Sequence, residues 1–355
     1  MKLSLVELAG VTQGTDKPQA LEEALAAARQ AEDLGYHRIW YAEHHNTASL
    51  ASQAPEILIA LAARATERIR VGSGAVLLNH YSPFKVAETF LQLEALAPGR
   101  IDLGLGRATA GPVADLALRR DRRAQVADDF ALQSREFALQ VQEVLGHLRG
   151  DLPADHPLAE LDPAAGIPTR PEVWLLGSSG TSAELAGRLG LGYAFAGFIN
   201  PDLARRSLLR HRAGFAGGPE GMAGDRSVLA VHAVAADTDA EAQRLSWSAR
   251  ATLARLARTG ASADVPTVDV AARELTRAEK DTPTVIADGV WPRLLAGSPD
   301  TVRDQIEQMT EATGVREVMV QDLVADPQAR AHSRALLAGA LGAAPAAAAR
   351  AGSSG

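Results

Sequence analysis

The sequence predicts an α/β protein folded as a (β/α)8 TIM barrel with insertions. Three observations predict it. Eight short apolar runs alternate with helical stretches along 355 residues, the order of a closed parallel sheet wrapped in helices. The runs ending near residues 41, 107 and 177 stop abruptly in polar residues, and carboxyl ends of strands are where such barrels place chemistry. No Gly-x-Gly-x-x-Gly turn follows the first run, as a doubly wound dinucleotide fold would want. That open sheet is the runner-up.

The elements follow in order. Residues 3–8 alternate weakly and read as the first strand. Asp16 and Pro18 announce a helix, a side-chain cap followed by a proline in the first turn. Leu21, Leu25, Ala28 and Ala31 share one of its faces and Gly35 ends it. Residues 37–41 are the second strand, running into Glu43-His44-His45-Asn46. Residues 55–65 form a helix that is apolar nearly all round, which predicts a subunit contact and a homodimer. Residues 69–78 are the third strand, with Gly72 and Gly74 inside it. Glycines there are costly unless a ligand or another backbone comes close. A helix over 84–96 presents Val86, Phe90, Leu93 and Leu96 on one side, and Pro98-Gly99 breaks it. Residues 100–107 are the fourth strand, 122–148 a long amphipathic helix, and 150–171 a proline-rich irregular insertion. The fifth strand, 172–176, leads through a Gly/Ser turn into a helix ending near Leu189. Residues 192–196 and 227–234 are strands six and seven, with helices over 200–215 and 238–258. Residues 259–297 show no clean period and read as an insertion over one end of the barrel. A helix over 299–313 and a strand over 315–320 complete the count. One domain spans 1–342, and the Ala-rich tail, 343–355, is assigned no function.

Composition narrows the function. The chain is 46% hydrophobic and 22% charged, with a net charge of −7. That balance does not invite nucleic acid or anionic lipid. There are no cysteines, which excludes disulfides, thiolate metal sites and a cysteine nucleophile and fits a cytoplasmic protein. No basic-then-apolar leader and no membrane-spanning run is read.

Two stretches carry chemistry. In Gly177-Ser178-Ser179-Gly180-Thr181-Ser182 a strand leads in and a helix leads out. Free backbone N–H groups at a helix start, ringed by hydroxyls, cradle an anion; the other reading is an ordinary helix cap. Arg107 ends a strand whose alternate residues are Asp102, Gly104 and Gly106. Small residues on one face predict a hollow, with the arginine placed to pair a phosphate; the other reading is a surface salt bridge. Gly74-Ala75 could let a flat ligand lie on the backbone, or serve tight packing. His44 and His45 are adjacent and point to opposite sides of an extended backbone, so they do not chelate one metal. No His-x-His or His-Glu-x-x-His occurs, which disfavours a mononuclear metal hydrolase. One histidine is expected to face the barrel mouth as a general acid/base, the other to be held by packing or by Glu43. His80 and His232 are further pocket candidates.

Taken together, Glu43-His44-His45-Asn46, Val71-Gly72-Ser73-Gly74-Ala75-Val76, Asn79-His80-Tyr81-Ser82-Pro83, Pro98-Gly99-Arg100-Ile101-Asp102-Leu103-Gly104-Leu105-Gly106-Arg107 and Gly177-Ser178-Ser179-Gly180 resemble the bacterial luciferase-like flavin monooxygenases, over about residues 3–325. The resemblance implies a TIM barrel binding FMN at the carboxyl ends of its strands. It implies a non-prolyl cis peptide at Gly74-Ala75 against the flavin ring. Arg107, Ser179 and Ser182 would hold the FMN phosphate, with Ser178, Gly180 and Thr181 beside them, and His44 would be the catalytic histidine, supported by Glu43 and His45. It further implies reduced FMN from a separate flavin reductase, O2 as co-substrate, a small organic substrate, and a dimer face on helices 55–65 and 84–96. Gly106 stands where the luciferases proper carry a cysteine, which counts against light emission. Two alternatives stay open: a deazaflavin (F420)-dependent hydride-transfer enzyme on the same scaffold, and a non-catalytic flavin-binding protein.

Overall fold

The computed structural model describes residues 1–108, 110–118, 130–215, 226–260 and 263–343. Ten strands make one parallel sheet: β1 Lys2–Glu7, β2 Arg38–Tyr41, β3 Arg70–Ser73, β4 Val76–Leu77, β5 Ile101–Gly106, β6 Glu172–Gly177, β7 Gly192–Ala196, β8 Ser227–Ala235, β9 Leu294–Gly297 and β10 Glu317–Gln321. β10 pairs with both β1 and β8, so the sheet closes into an eight-stranded barrel. β4 resumes the third strand beyond an interruption and pairs with β5. β9 adds to the carboxyl half of β8, Leu294 opposite His232.

Local chemistry sets the helices. Asp16 caps the helix Lys17–Asp33 by accepting from the Gln19 amide, as its sequence position predicts. Thr238, Thr267, Thr276, Ser298 and Asp326 do the same at later helix starts. The predicted helix over 122–148 is described as Phe130–Arg149; its predicted start lies outside the described residues, as do 344–355 of the tail.

Two elements differ from expectation. The strand over 69–78 divides at residues 74 and 75, where the Gly74–Ala75 peptide bond is cis. The stretch 259–297 holds the helices Val268–Glu274 and Arg277–Lys280 and the strand β9. β9 is four residues, all buried, so it offers neither alternation nor length to read. Val265 exchanges backbone hydrogen bonds with Val11 and Gln13 in the loop after β1, both at 2.8 Å. This fastens the segment beside the carboxyl end of the barrel.

The barrel interior is filled in layers. At the amino end Arg38 donates to Asp102 at 2.7 Å and to Glu317 at 2.7 Å. Arg70 reaches Asp102 at 2.5 Å, the Trp40 indole donates to it at 2.9 Å, and Ser4 donates to Glu317 at 2.6 Å. Trp40 and Trp174 meet edge to face above this floor, centroids 5.4 Å apart, and the Arg38 guanidinium lies 4.5 Å from the Trp174 ring. Both indoles are buried, each stabilising by roughly 2–3 kcal/mol through apolar area removed from water. Leu3, Leu5, Ile39 and Tyr41 face outward into the helix layer. The rigid floor leaves the opposite, carboxyl end to the polar loop residues.

Candidate active site

The polar run after β2 folds onto the loop after β4. The Glu43 carboxylate is buried and accepts three hydrogen bonds: from Tyr81 Oη at 2.8 Å, from the Leu77 amide at 3.0 Å, and at 2.7 Å from His45 Nε2. His45 is therefore the histidine that Glu43 holds. A carboxylate so occupied fixes geometry rather than trading protons. Burial, then the bond to Glu43, raises the pKa of Tyr81, so its hydroxyl stays protonated.

His44 is the other histidine. Its backbone amide donates to Ser52 O at 2.9 Å, and Ser52 Oγ donates to Ala42 O at 2.5 Å. Those bonds anchor the backbone, and the ring's Nδ1 is buried without a partner. Burial, reinforced by the neighbouring His45, pulls its pKa down to about 4. The ring is neutral near pH 7, able to accept or relay a proton. His80 pairs instead with Asp115, Nε2 to Oδ1 3.2 Å.

The second stretch starts a helix without a side-chain cap, as Ser82 and Leu203 also do. Ser179 has the extended backbone of a cap, yet its side chain makes no capping bond to the helix Gly180–Leu189. Its carbonyl accepts from Tyr193 Oη at 2.9 Å. The first-turn N–H groups keep their capacity for an anion. A cavity of about 300 Å³ opens there, lined by Arg107, Ser134, Arg135, Thr181, Ser182 and Arg188 among others. Arg107 donates to Ser134 Oγ at 2.5 Å. The structure thus brings Arg107, Thr181 and Ser182 to one cavity; Ser178, Ser179 and Gly180 lie on the adjoining turn. Ser134, Arg135 and Arg188 were missed by sequence reasoning: the first two lie far from the turn along the chain, and Arg188, two turns along the same helix, reads as an ordinary surface cation.

One expectation is corrected. Gly104 and Gly106 do not leave a hollow. A Cβ on Gly104 would sit 2.0 Å from the Ser73 carbonyl, and one on Gly106 would sit 3.0 Å from Ala75 Cβ. The missing side chains let the third and fourth barrel strands approach, with Ser73 Oγ bonded to both the carbonyl and the amide of Gly104 at 2.9 Å. Gly74 likewise packs on Trp40, 3.0 Å from an added Cβ. At Gly177 the space is taken by the Ser182 hydroxyl, 2.5 Å away, which a side chain there would displace from the turn.

This arrangement can be set beside known proteins. The family described as luciferase-like monooxygenase matches residues 1–317. The chain belongs to that family. A luciferase-like monooxygenase of Escherichia coli K12 is 33% identical over 334 residues, 93% of this chain and 94% of that one. The crystal structure of apo-MsnO8 superposes with a TM-score of 0.86 at 39% identity, covering 97% of this chain and 99% of that one. More distant structures share the fold. One is the oxygenating constituent of 3,6-diketocamphane monooxygenase from Pseudomonas putida in complex with FMN (TM-score 0.69, 22% identity, 96% and 98% covered). Another is an F420-dependent secondary alcohol dehydrogenase (0.65, 15%, 96% and 98%). Membership of a luciferase-like monooxygenase family makes the chain an oxidoreductase. Among the described residues no helix is long and apolar enough to cross a membrane, and no cluster of metal-ligating side chains occurs.

Proposed function

We propose that this luciferase-like protein is an FMN-dependent monooxygenase that takes reduced FMN from a separate flavin reductase and uses O2 to oxygenate a small organic substrate. The observation that carries this reading is the cavity joining Arg107 to the uncapped helix start at Thr181 and Ser182, at the same barrel end as the neutral, unpartnered His44. A phosphate fits that donor set, arginine plus hydroxyls plus free amides. Gly74 and Ala75 would meet the ring, and Ser178, Ser179 and Gly180 would line the path from ring to phosphate.

Electrons and oxygen activation would be supplied by the reduced flavin when bound. The chain's residues do the rest. Arg107 and the helix start hold the phosphate. Glu43 and Tyr81 fix His45 and the loop after β4. His44, neutral at working pH, accepts a proton at Nδ1 or passes one on. The segment over the barrel end keeps water out. Ile57, Leu61 and Leu96 are 60%, 49% and 63% exposed on helices Pro55–Ala65 and Pro83–Leu96, which supports a homodimer through that face. A cytoplasmic site of action accords with the lack of cysteines.

One observation favours a second reading. Arg135 and Arg188 flank Arg107 in the cavity, and a longer, more acidic deazaflavin such as F420 would use extra cations. Anaerobic titration with reduced FMN, followed by mixing with oxygenated buffer, tests the first reading. Reduced FMN is expected to bind and its reoxidation to be slowed. Failure to bind overturns the FMN assignment, and binding of F420 with anaerobic hydride transfer would establish the second.

A further inference from the structure

The proposed cofactor residues occupy one side of the mouth. The opposite wall carries two buried polar atoms that no residue satisfies. Gln321 ends β10 and His232 lies in β8, and the two are register partners on adjacent parallel strands. Both are more than nine-tenths buried, at 8% and 4% exposure. Gln321 Oε1 and His232 Nε2 have no hydrogen-bond partner. Strand alternation turns both inward: Val228, Ala230 and Met319, two or four residues before them on their own strands, belong to the cluster that contains Trp40 and Trp174.

Their placement is specific. Gln321 is also the register partner of Val6, and Val6 Cγ2 lies 3.5 Å from where a Cβ on Gly74 would be. From β3 to β8 the circuit passes through β2, β1 and β10, half-way round an eight-stranded barrel. His232 therefore stands across the barrel from the Gly74–Ala75 bond. It also borders a small cavity on the outer face of the sheet, with Leu229 and Val231 and with Trp291 and Arg293 of the 259–297 segment, so that segment packs against β8 from outside the barrel. Nearby, Val6, Leu8, Val265 and Leu323 supply apolar surface. Burial, partly offset by the Asp322 carboxylate, lowers the His232 pKa to about 4, so its ring carries no charge near pH 7.

Buried polar atoms are almost always partnered, and an orphan pair side by side on one wall needs an explanation, which a ligand group would supply. Gln321 Oε1 can only accept. Resting on the monooxygenase reading above, we infer that Gln321 and His232 form the substrate-recognition pair, receiving a neutral hydrogen-bond donor, an amide N–H or a hydroxyl, on an otherwise apolar substrate. A substrate group without a donor would leave Gln321 Oε1 buried and unpaired, which is disfavoured.

The test uses N-heptylacetamide, which has one N–H, and N-heptyl-N-methylacetamide, which has none. Binding is measured by calorimetry to the flavin-free protein and to the FMN-saturated protein. The wild type is expected to prefer the N–H compound about tenfold, and Gln321→Met to lose that preference while keeping apolar affinity. Equal binding of the two amides by the wild type, or binding of neither in either form, would overturn the inference. So would a preference that survives in Gln321→Met. Should that variant fail to fold, the wild-type ratio still decides. FMN binding is titrated separately, so an amide preference without FMN binding would sink the cofactor reading and leave this one standing.

Discussion

The two ends of the barrel interior use the same kinds of residue and finish them in opposite ways. At the amino end, Arg38, Arg70, Asp102 and Glu317 are buried or nearly so and each charge has a partner within 3 Å. At the carboxyl end, His44 Nδ1, His232 Nε2 and Gln321 Oε1 are buried with none. A closed network ties β2, β3, β5 and β10 together and fixes their relative position. An open set of polar atoms costs stability until something binds. The contrast separates what holds this fold from what the fold is for.

The largest test attacks the floor. Asp102→Asn removes the charge that Arg38 and Arg70 share and leaves two cations underpaired in the interior. Destabilisation of about 3–5 kcal/mol is expected in chemical denaturation; a loss under about 1 kcal/mol would mean the two ends are not different in kind. Arg107→Ala should do the reverse. Global stability should hardly change, while affinity for FMN should fall by about ten- to hundredfold, the worth of a charge-assisted hydrogen bond. Unchanged affinity, read by fluorescence titration, would remove Arg107 from the phosphate site.

Acid should find the open end first. The His44 and His232 pKa values are lowered to about 4, below the unfolded value. The unfolded chain therefore binds more protons between about pH 6.5 and 4, and stability falls as pH drops through that window. His232→Gln should flatten the decline by about 2 kcal/mol between pH 7 and 5, and identical pH profiles for the two proteins would exclude His232 as a contributor. The smallest effect expected is at Tyr81→Phe. It deletes one of three bonds to Glu43, at a cost of about 1 kcal/mol, and should slow turnover through His45 and the loop rather than abolish it. A complete loss of activity would make Tyr81 a catalytic group.

Legibility in the sequence followed distance along the chain. The Asp16 cap spans three residues and the Glu43–His45 bond two, so local pattern announced the cap and offered Glu43, beside packing, as the holder of one histidine. The floor joins Arg38 to residues 64 and 279 positions away, and nothing at residue 38 announces either. β9 was unread because four buried residues have no period. Gly104 was misread because a glycine's empty place looks the same in sequence whether a ligand or, as here, the Ser73 carbonyl fills it. Gln321 looks like an ordinary strand residue, and His232 was a pocket candidate with no partner in view. Only their register across β8 and β10 makes them a pair.

The segment 259–297 is fastened to the barrel at Val265 by the loop after β1 and at β9 along β8, and to the flanking helices through Arg250, Arg255 and Gln305. None of these anchors lies on β3, β5 or β6, the strands that lead to Gly74, Arg107 and Ser182. Insertions, deletions and wholesale replacement between the anchors would therefore reshape what the mouth admits while the proposed cofactor cradle keeps its shape. On the proposed reading, selectivity and redox chemistry would be separately heritable in this chain.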